Sequence, residues 1–387
     1  MQLKTPGLIV AWFITRVWIL LSGFGYLFYP EGGSLFADVQ LYDWWAGNMQ
    51  HGHFPINDDM WQYPPLAALV FILGYLIAPH TIGFVFLALA IDALLFYFLL
   101  EAGSESPKQN FLPATVWVSA GALIGPILLG RFDVFPTFFA VLALLFISKP
   151  SAFGVNIAFG ALLKVWPALL FLGVPKNKFK NSFIWFVGIF VSLSILLTLW
   201  WPNSFSFITG QRSRGLQIES VGALPYMLWH QIATDMPIEF RYGAVEVVAS
   251  GVNLVSLVIT LIGLALLGQV AIWQYRNQLS KSSVAEIGIY VVSVSMVTSR
   301  VLSPQYIIWL FGLLAVCALN PVQNFMKIFS LISVSAFLGQ LIYPFLYYGY
   351  MGGQIIPLIV QILRIITLLW ATYLMWSNIR SRLTPAN

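Results

Sequence analysis

The chain has 387 residues, 59% of them hydrophobic and only 9% charged, with a mean hydropathy of +0.84. A soluble globular protein carries about a quarter charged residues, so this balance excludes a water-facing surface over most of the chain and describes a polytopic membrane protein. The net charge of +5 then belongs to the placement of basic loops, and no nucleic-acid partner is expected.

Apolar runs at residues 6–29, 65–79, 81–100, 111–129, 133–148, 153–173, 182–201, 246–272, 285–299, 303–319, 325–346 and 354–377 predict about twelve spans. About 20 apolar residues in a helix cross a hydrocarbon core of roughly 30 Å. A closed barrel would need alternating strands of about ten residues, and none is found. The expected fold is an all-α transmembrane helical bundle forming one integral membrane domain over residues 1–387. The first run has no small-residue cleavage site after it and reads as a span rather than a signal peptide. The single cysteine, Cys317, lies in an apolar run, rules out an internal disulfide and reads as helix packing.

Lys4, the cluster Lys176/Lys178/Lys180, Arg276/Lys281 and Arg380/Arg382 fall on one side if each run crosses once. That side is the cytoplasm. The segment 30–64, with five acidic residues and no lysine or arginine, and the loop 202–245 then face outward. Both exceed the usual loop length of about 12–15 residues. Both are rich in Trp, Tyr, Phe and Pro, which predicts interfacial helices, and together they are expected to form the site. Two irregularities complicate the count. The run 65–79 is short and begins Tyr63-Pro64-Pro65, so it reads either as a span or as an embedded outer-face helix. The run 153–173 carries Lys164 and Pro167 and reads either as one helix or as a broken one. Either change moves the stretch between them, Gly130-Arg131-Phe132-Asp133 included, to the other side.

Ionisable groups within spans are expensive and are functional candidates by default. Here they are Arg16, Asp92, Lys164 and Arg364, with Arg131, Asp133 and Arg300 at span edges. No motif surrounds Asp92 or Arg364, and an ion pair inside the bundle accounts for them. Arg131 and Asp133 are two apart, would not share a helical face, and read as a turn at a membrane boundary. His51, His53, Asp58 and Asp59 match no metal-ligand spacing, and no nucleotide-binding or hydrolase motif occurs in a suitable context. What remains is carboxylates and arginines beside a membrane. A carboxylate serves as general base on an alcohol, and arginine binds phosphate bidentately. An enzyme joining a lipid-phosphate donor to a hydroxyl needs both.

At this point the pattern resembles the GT-C superfamily of polytopic glycosyltransferases that use polyprenyl-phosphate sugars. Within it the chain is most similar to glycosyltransferase family 87, the bacterial polyprenyl-phosphate-mannose-dependent mannosyltransferases. "ADVQLYDWW" follows the first span, as the Asp-x-x-x-Tyr of the family does. "GHFPINDDMWQYPPLAALV", "GRFDVFPTFFAVLALLF", "GALLKVWPALLFL", "QRSRGLQIESVGALPYML" and "SRVLSPQYIIWLF" follow in family order, so the likeness runs from about residue 8 to 320. Each motif alone is weak; the ordered set is more specific.

Carried over residue by residue, the resemblance makes Asp38 the catalytic base of an inverting single displacement at the outer face of the bacterial cytoplasmic membrane. The donor is a polyprenyl-phosphate sugar, with mannose expected, and the acceptor a glycolipid or glycan hydroxyl. Arg212, Arg214, Arg300, Lys164 and Arg131 are candidates to stabilise the departing phosphate. His53, Tyr63, Gln217, Gln305 and Tyr306 lie in the matching stretches as candidate substrate contacts. The resemblance implies no metal and no cofactor. It also puts Asp133 near the outer-face site as a second acidic position, whereas twelve simple crossings put it inside. Asp43, five residues after Asp38, reads as interfacial. The competing readings are a transporter or flippase of a lipid-linked sugar, for which an inverted repeat is not found, and a surface-polysaccharide polymerase or ligase.

Overall fold

A computed structural model describes residues 5–27, 29, 35–56, 58–106, 109–210, 214–233 and 236–385. The first span is α1 (Thr5–Gly23), and α2 (Ala37–Gln50) carries the acidic segment. Then come α3 (Leu66–Ile77), α4 (Thr81–Ser104), α5 (Leu112–Ile124), the single turn α6 (Ile127–Gly130), α7 (Val134–Leu145) and α8 (Pro150–Leu163). After a 3₁₀ segment (Trp166–Gly173) follow α9 (Lys176–Trp200), α10 (Phe207–Gly210), β1 (Leu216–Gln217), α11 (Leu224–Trp229), β2 (Ile238–Arg241) and β3 (Ala244–Val247). The C-terminal part contains α12 (Val252–Tyr275), α13 (Val284–Val297), α14 (Ile307–Cys317), α15 (Phe325–Gln340), α16 (Tyr347–Met351) and α17 (Ile355–Ser381).

The molecule is a polytopic helical membrane protein. Among the described residues six helices, α1, α4, α9, α12, the α15–α16 unit and α17, are long and apolar enough to cross a bilayer, and six shorter apolar helices pack among them. The longest stretches of apolar side chain left uncovered lie on α9 and α12. Ile184, Leu196, Leu199, Leu254, Leu257 and Leu261 are all more than half exposed, as a lipid-facing helix requires, because lipid solvates them as well as protein does. The α15–α16 unit is interrupted at Pro344, where Tyr343 leaves helical geometry. Proline removes a backbone donor and kinks a helix in this way.

Both irregular runs are irregular in the structure, and they decide where the site forms. Helix α3 has 12 residues, about 18 Å, and packs against α2 with both its ends at one turn of that helix: Tyr63 before it meets Tyr42, and His80 after it lies 3.8 Å from Asp43. It therefore does not traverse the bundle. Helices α4 and α5–α6 do, out and back, and deliver Arg131 to within 3.1 Å of Asp38. Helix α8 stops at Leu163; Lys164 is extended, and Pro167 in the next turn supplies no N–H to continue the ladder. The 3₁₀ segment then makes a further pass. Lys164 is at the Asp38 end, whereas Lys178 donates to the Ile147 carbonyl at the opposite end, 3.3 Å away. The expectation from twelve simple crossings, which separated Gly130–Asp133 from Asp38, is thus corrected. Gly130–Asp133 and Lys164 share the end of the bundle that holds Asp38.

The loop 202–245 also differs from expectation. Besides the short helices α10 and α11 it holds a three-stranded antiparallel sheet of order β1-β3-β2, with Val247 opposite both Leu216 and Ile238. Tyr242 and Gly243, at φ 50° and 68°, form the two-residue turn with both angles positive that matches hairpin twist. Residues 246–250, assigned above to a span, belong to this strand and its exit, and α12 begins only after Gly251. A small core of Leu216, Ile218, Val245, Val247, Ile342, Tyr350 and Leu358 seats the sheet on the ends of α15–α17.

Candidate active site

Asp38 stands in the first turn of α2, and its position is set by the residue two before it. The Phe36 ring fills the space above Gly23 and Gly130, so closely that a Cβ at either glycine would overlap it. Seating Phe36 against Gly130 places Asp38 beside the next residue, Arg131. Gly130→Ala is accordingly expected to lift the start of α2 and lower stability by about 1–3 kcal/mol, read by thermal denaturation. Gly188→Ala, where nothing lies within 4 Å, is the silent control.

The Arg131 guanidinium contacts Asp38 at 3.1 Å and lies 5.9 Å from the Tyr343 ring centroid. Its side chain is 9% exposed and that of Asp38 is 42% exposed. Burial works against the Arg131 charge, but Asp38 and the tyrosines around it more than offset this, and its pKa is raised. Behind Asp38, the Tyr42 and Tyr63 hydroxyls share a hydrogen bond of 2.9 Å. Burial first, and then Asp38 for Tyr42 and the neighbouring Tyr42 for Tyr63, push both phenols up. They form a neutral wall, continued by Trp45, Trp61, Phe71 and Phe132.

Asp133 is buried and accepts from Lys164 Nζ at 2.6 Å and Trp309 Nε1 at 2.7 Å. The Lys164 ammonium lies over the Tyr306 and Trp309 rings, 4.7 and 4.9 Å from their centroids. Asp133 therefore reaches the site through Lys164. The fold achieves this because α7 and α8 leave and return as a hairpin. Arg214 Nε meets Glu246 Oε1 at 2.6 Å, and Nη1 meets Gln62 Oε1 at 2.8 Å. Arg300 donates to the Arg214 carbonyl, tying two chain segments together. Gln217 accepts from the Leu302 N–H at 2.8 Å and donates to Glu219 at 3.0 Å.

Two cavities meet at Asp38. One, of about 120 Å³, is lined by Asp38, Tyr42, Tyr63, Lys164, Arg214 and Tyr306 among others. The second, of about 370 Å³, is lined by Asp38, Arg131, Gln217, Glu219, Phe240, Tyr343, Tyr347 and Tyr348 among others. Gly243, Ala244, Ser303 and Gln305 line both. The structure so gathers Asp38, Tyr63, Arg131, Lys164, Arg214, Gln217, Gln305 and Tyr306 around one space, with Asp133 and Arg300 behind it. His53 is apart, exposed in a separate depression with Asp58 and Asp59. Arg212 lies outside the described residues. Among the described residues no group of three or more His, Cys, Asp or Glu could hold a metal. Asp58 is engaged by the Trp45 indole and the Met60 N–H, at 2.7 and 2.8 Å.

Sequence reasoning did not single out Glu219, Glu246, Gln62 or Tyr343. Glu219 pairs with Arg364 at 2.8 Å, so the ion pair expected for Arg364 exists and abuts the larger cavity. Glu246 opens the run 246–272 read above as a span, so the signal used for charges within spans would have found it; Glu219, between Gln217 and Ser220 in the outer loop, carries no such signal.

No curated protein and no solved structure matches the chain. The sequence profile of glycosyltransferase family 87 matches residues 61–304, more than half of the chain. The matched part includes Tyr63, Arg131, Asp133, Lys164, Arg214, Gln217 and Arg300; Asp38 precedes it, and Gln305 and Tyr306 follow it directly. A helical membrane bundle with a charged cavity at one end, carrying this profile through most of the cavity wall, belongs to glycosyltransferase family 87 and is a membrane glycosyltransferase.

Proposed function

We propose that the chain transfers a sugar, mannose in the first instance, from a polyprenyl-phosphate donor to a glycolipid or glycan hydroxyl, with Asp38 as base. The observation that supports this is the state of the carboxylates around the cavities. Glu219 and Glu246 are 1% and 0% exposed and held by arginines, and Asp133 is 3% exposed and held by Lys164. Asp38 alone among these four is substantially open, on the wall that both cavities share. In a single displacement the acceptor hydroxyl attacks C1 of the donor sugar, its proton passes to Asp38, and the C1–O bond to the phosphate breaks. The departing polyprenyl phosphate needs charge stabilisation more than a proton; Lys164 and Arg214 line the smaller cavity beside Asp38, and Arg131 contacts Asp38 from the larger one.

The reaction is read as occurring on the outer face. Lys176 lies against Tyr275, Lys178 against Ile147, and Arg382 pairs with Glu286. These basic clusters share the end opposite Asp38, and basic loops mark the cytoplasm. On a Cys317→Ala background, Gln50→Cys is expected to react with a membrane-impermeant maleimide on intact cells, and Ser104→Cys only after permeabilisation. The reverse pattern would turn the cavity inward.

The functional test supplies purified protein with polyprenyl-phosphate mannose, the glucose analogue and candidate glycolipid acceptors. Transfer from the mannose donor supports the proposal. Movement of the intact donor between leaflets without transfer would establish the transporter reading instead.

A further inference from the structure

The two cavities flanking Asp38 differ in size and lining, and on the glycosyltransfer reading above the geometry points to a division of labour: the small basic cavity takes the donor phosphate, and the larger aromatic cavity takes the ring of a carbohydrate acceptor.

The charges on the two walls differ. On the wall of the small cavity are the cationic side chains Lys164 and Arg214, with their buried partners Asp133 and Glu246 behind them, and the carboxylate Asp38. Facing the large cavity are Arg131 against two carboxylates, Asp38 and Glu219. An incoming phosphate meets two cationic hydrogen-bond donors in the first and one in the second. Size agrees with charge. At about 30 Å³ per water, 120 Å³ is room for about four water-sized groups, matching the four oxygens around one phosphorus. The 370 Å³ of the other is room for about twelve, the size of a hexose.

Chemistry agrees as well. The large cavity presents four aromatic rings, Phe240 from β2 and Tyr343, Tyr347 and Tyr348 from the α15–α16 unit. A pyranose offers flat C–H faces to such rings and hydroxyls at its edge, so it needs aromatic walls with a few polar groups between them. Gln305 supplies one. Its amide makes no hydrogen bond to another described residue, and it lines both cavities. Inversion also requires nucleophile and leaving group on opposite faces of C1. With phosphate in one cavity and acceptor in the other, the acceptor O–C1 bond forms as the C1–O–phosphate bond breaks. Asp38, between them, receives the acceptor proton.

Phe240 and Tyr348 are 68% and 70% exposed at the mouth, so Phe240→Ala/Tyr348→Ala leaves packing intact. The second variant is Lys164→Gln with Asp133→Asn, changed together so that no buried charge loses its partner. Binding of polyprenyl phosphate alone and of octyl α-mannoside alone is measured in nanodiscs by intrinsic tryptophan fluorescence. The aromatic variant is expected to weaken octyl α-mannoside about tenfold and leave polyprenyl phosphate within twofold; the Lys164 variant is expected to do the reverse. Weakening of polyprenyl phosphate by the aromatic variant, or a wild type that binds polyprenyl phosphate but no octyl hexoside, overturns the assignment. Because both probes are read without turnover, a correct binding pattern with no sugar transfer would fault the proposed reaction and leave the two subsites standing.

Discussion

Asp38→Asn is expected to lower sugar transfer by about 10²–10⁴-fold, the range for loss of a positioned general base, with donor binding retained. Asparagine keeps the shape of aspartate and an oxygen that accepts from Arg131 at the 3.1 Å contact, but it cannot take up the acceptor proton. Among the described residues lining or backing the cavities, no other carboxylate is free to substitute. Asp133 is occupied by Lys164 and Trp309, Glu219 by Arg364 and Gln217, and Glu246 by Arg214 and the Gly215 N–H. Asp43→Asn is the matched control. Five residues on, it is turned about 140° around α2 from Asp38, and it faces His80 instead. A twofold or smaller effect is expected there, measured as initial rate at saturating donor.

The second large effect is on stability. Arg16 and Asp92 form a doubly hydrogen-bonded pair, at 2.9 and 2.8 Å, that is 1% and 0% exposed between two spans. The Trp12 and Trp117 indoles add bonds to Asp92 at 2.8 and 2.9 Å. Asp92→Leu strands a buried guanidinium and two indole N–H groups, and is expected to cost about 3–5 kcal/mol. Arg16→Leu is expected to cost less, because the two indoles still hold the carboxylate. The double variant should recover part of the loss, since two isolated charges are worse than none. A double-mutant cycle by thermal denaturation in detergent checks this; strictly additive losses would show that the two side chains do not act as a pair.

Much of this was legible in the amino-acid order. Long apolar runs declare helices because lipid leaves the backbone no other way to satisfy itself. The two places where the runs faltered, at Tyr63-Pro64-Pro65 and at Lys164 with Pro167, are where the chain stops short of crossing and where it breaks. Arg131 and Asp133, two apart and expected not to share a face, turn to different partners, Asp38 and Lys164. What could not be read is pairing across distance. Asp38 meets Arg131 only because α3 stays packed against α2 and α4–α6 return. Arg214 meets Glu246 only because β1 pairs with β3, about thirty residues on, in a segment expected to be helical. The alternation in Glu239–Val247 was there to be seen, but a membrane-side loop rich in aromatics favoured a different reading. His53 shared a motif with Tyr63 yet lies elsewhere, since proximity in a motif does not fix where a side chain points.

The central claim is that Asp38 activates the acceptor for a single displacement on a polyprenyl-phosphate sugar. It is tested most directly by one single-turnover experiment. Wild type and Asp38→Asn, each loaded with polyprenyl-phosphate β-mannose, are mixed with acceptor, and the product linkage is read by NMR. The prediction is an α-linked product from wild type, with the asparagine variant holding its donor and forming almost none. A β-linked product, or an α-linked product formed by Asp38→Asn at the wild-type rate, would contradict it.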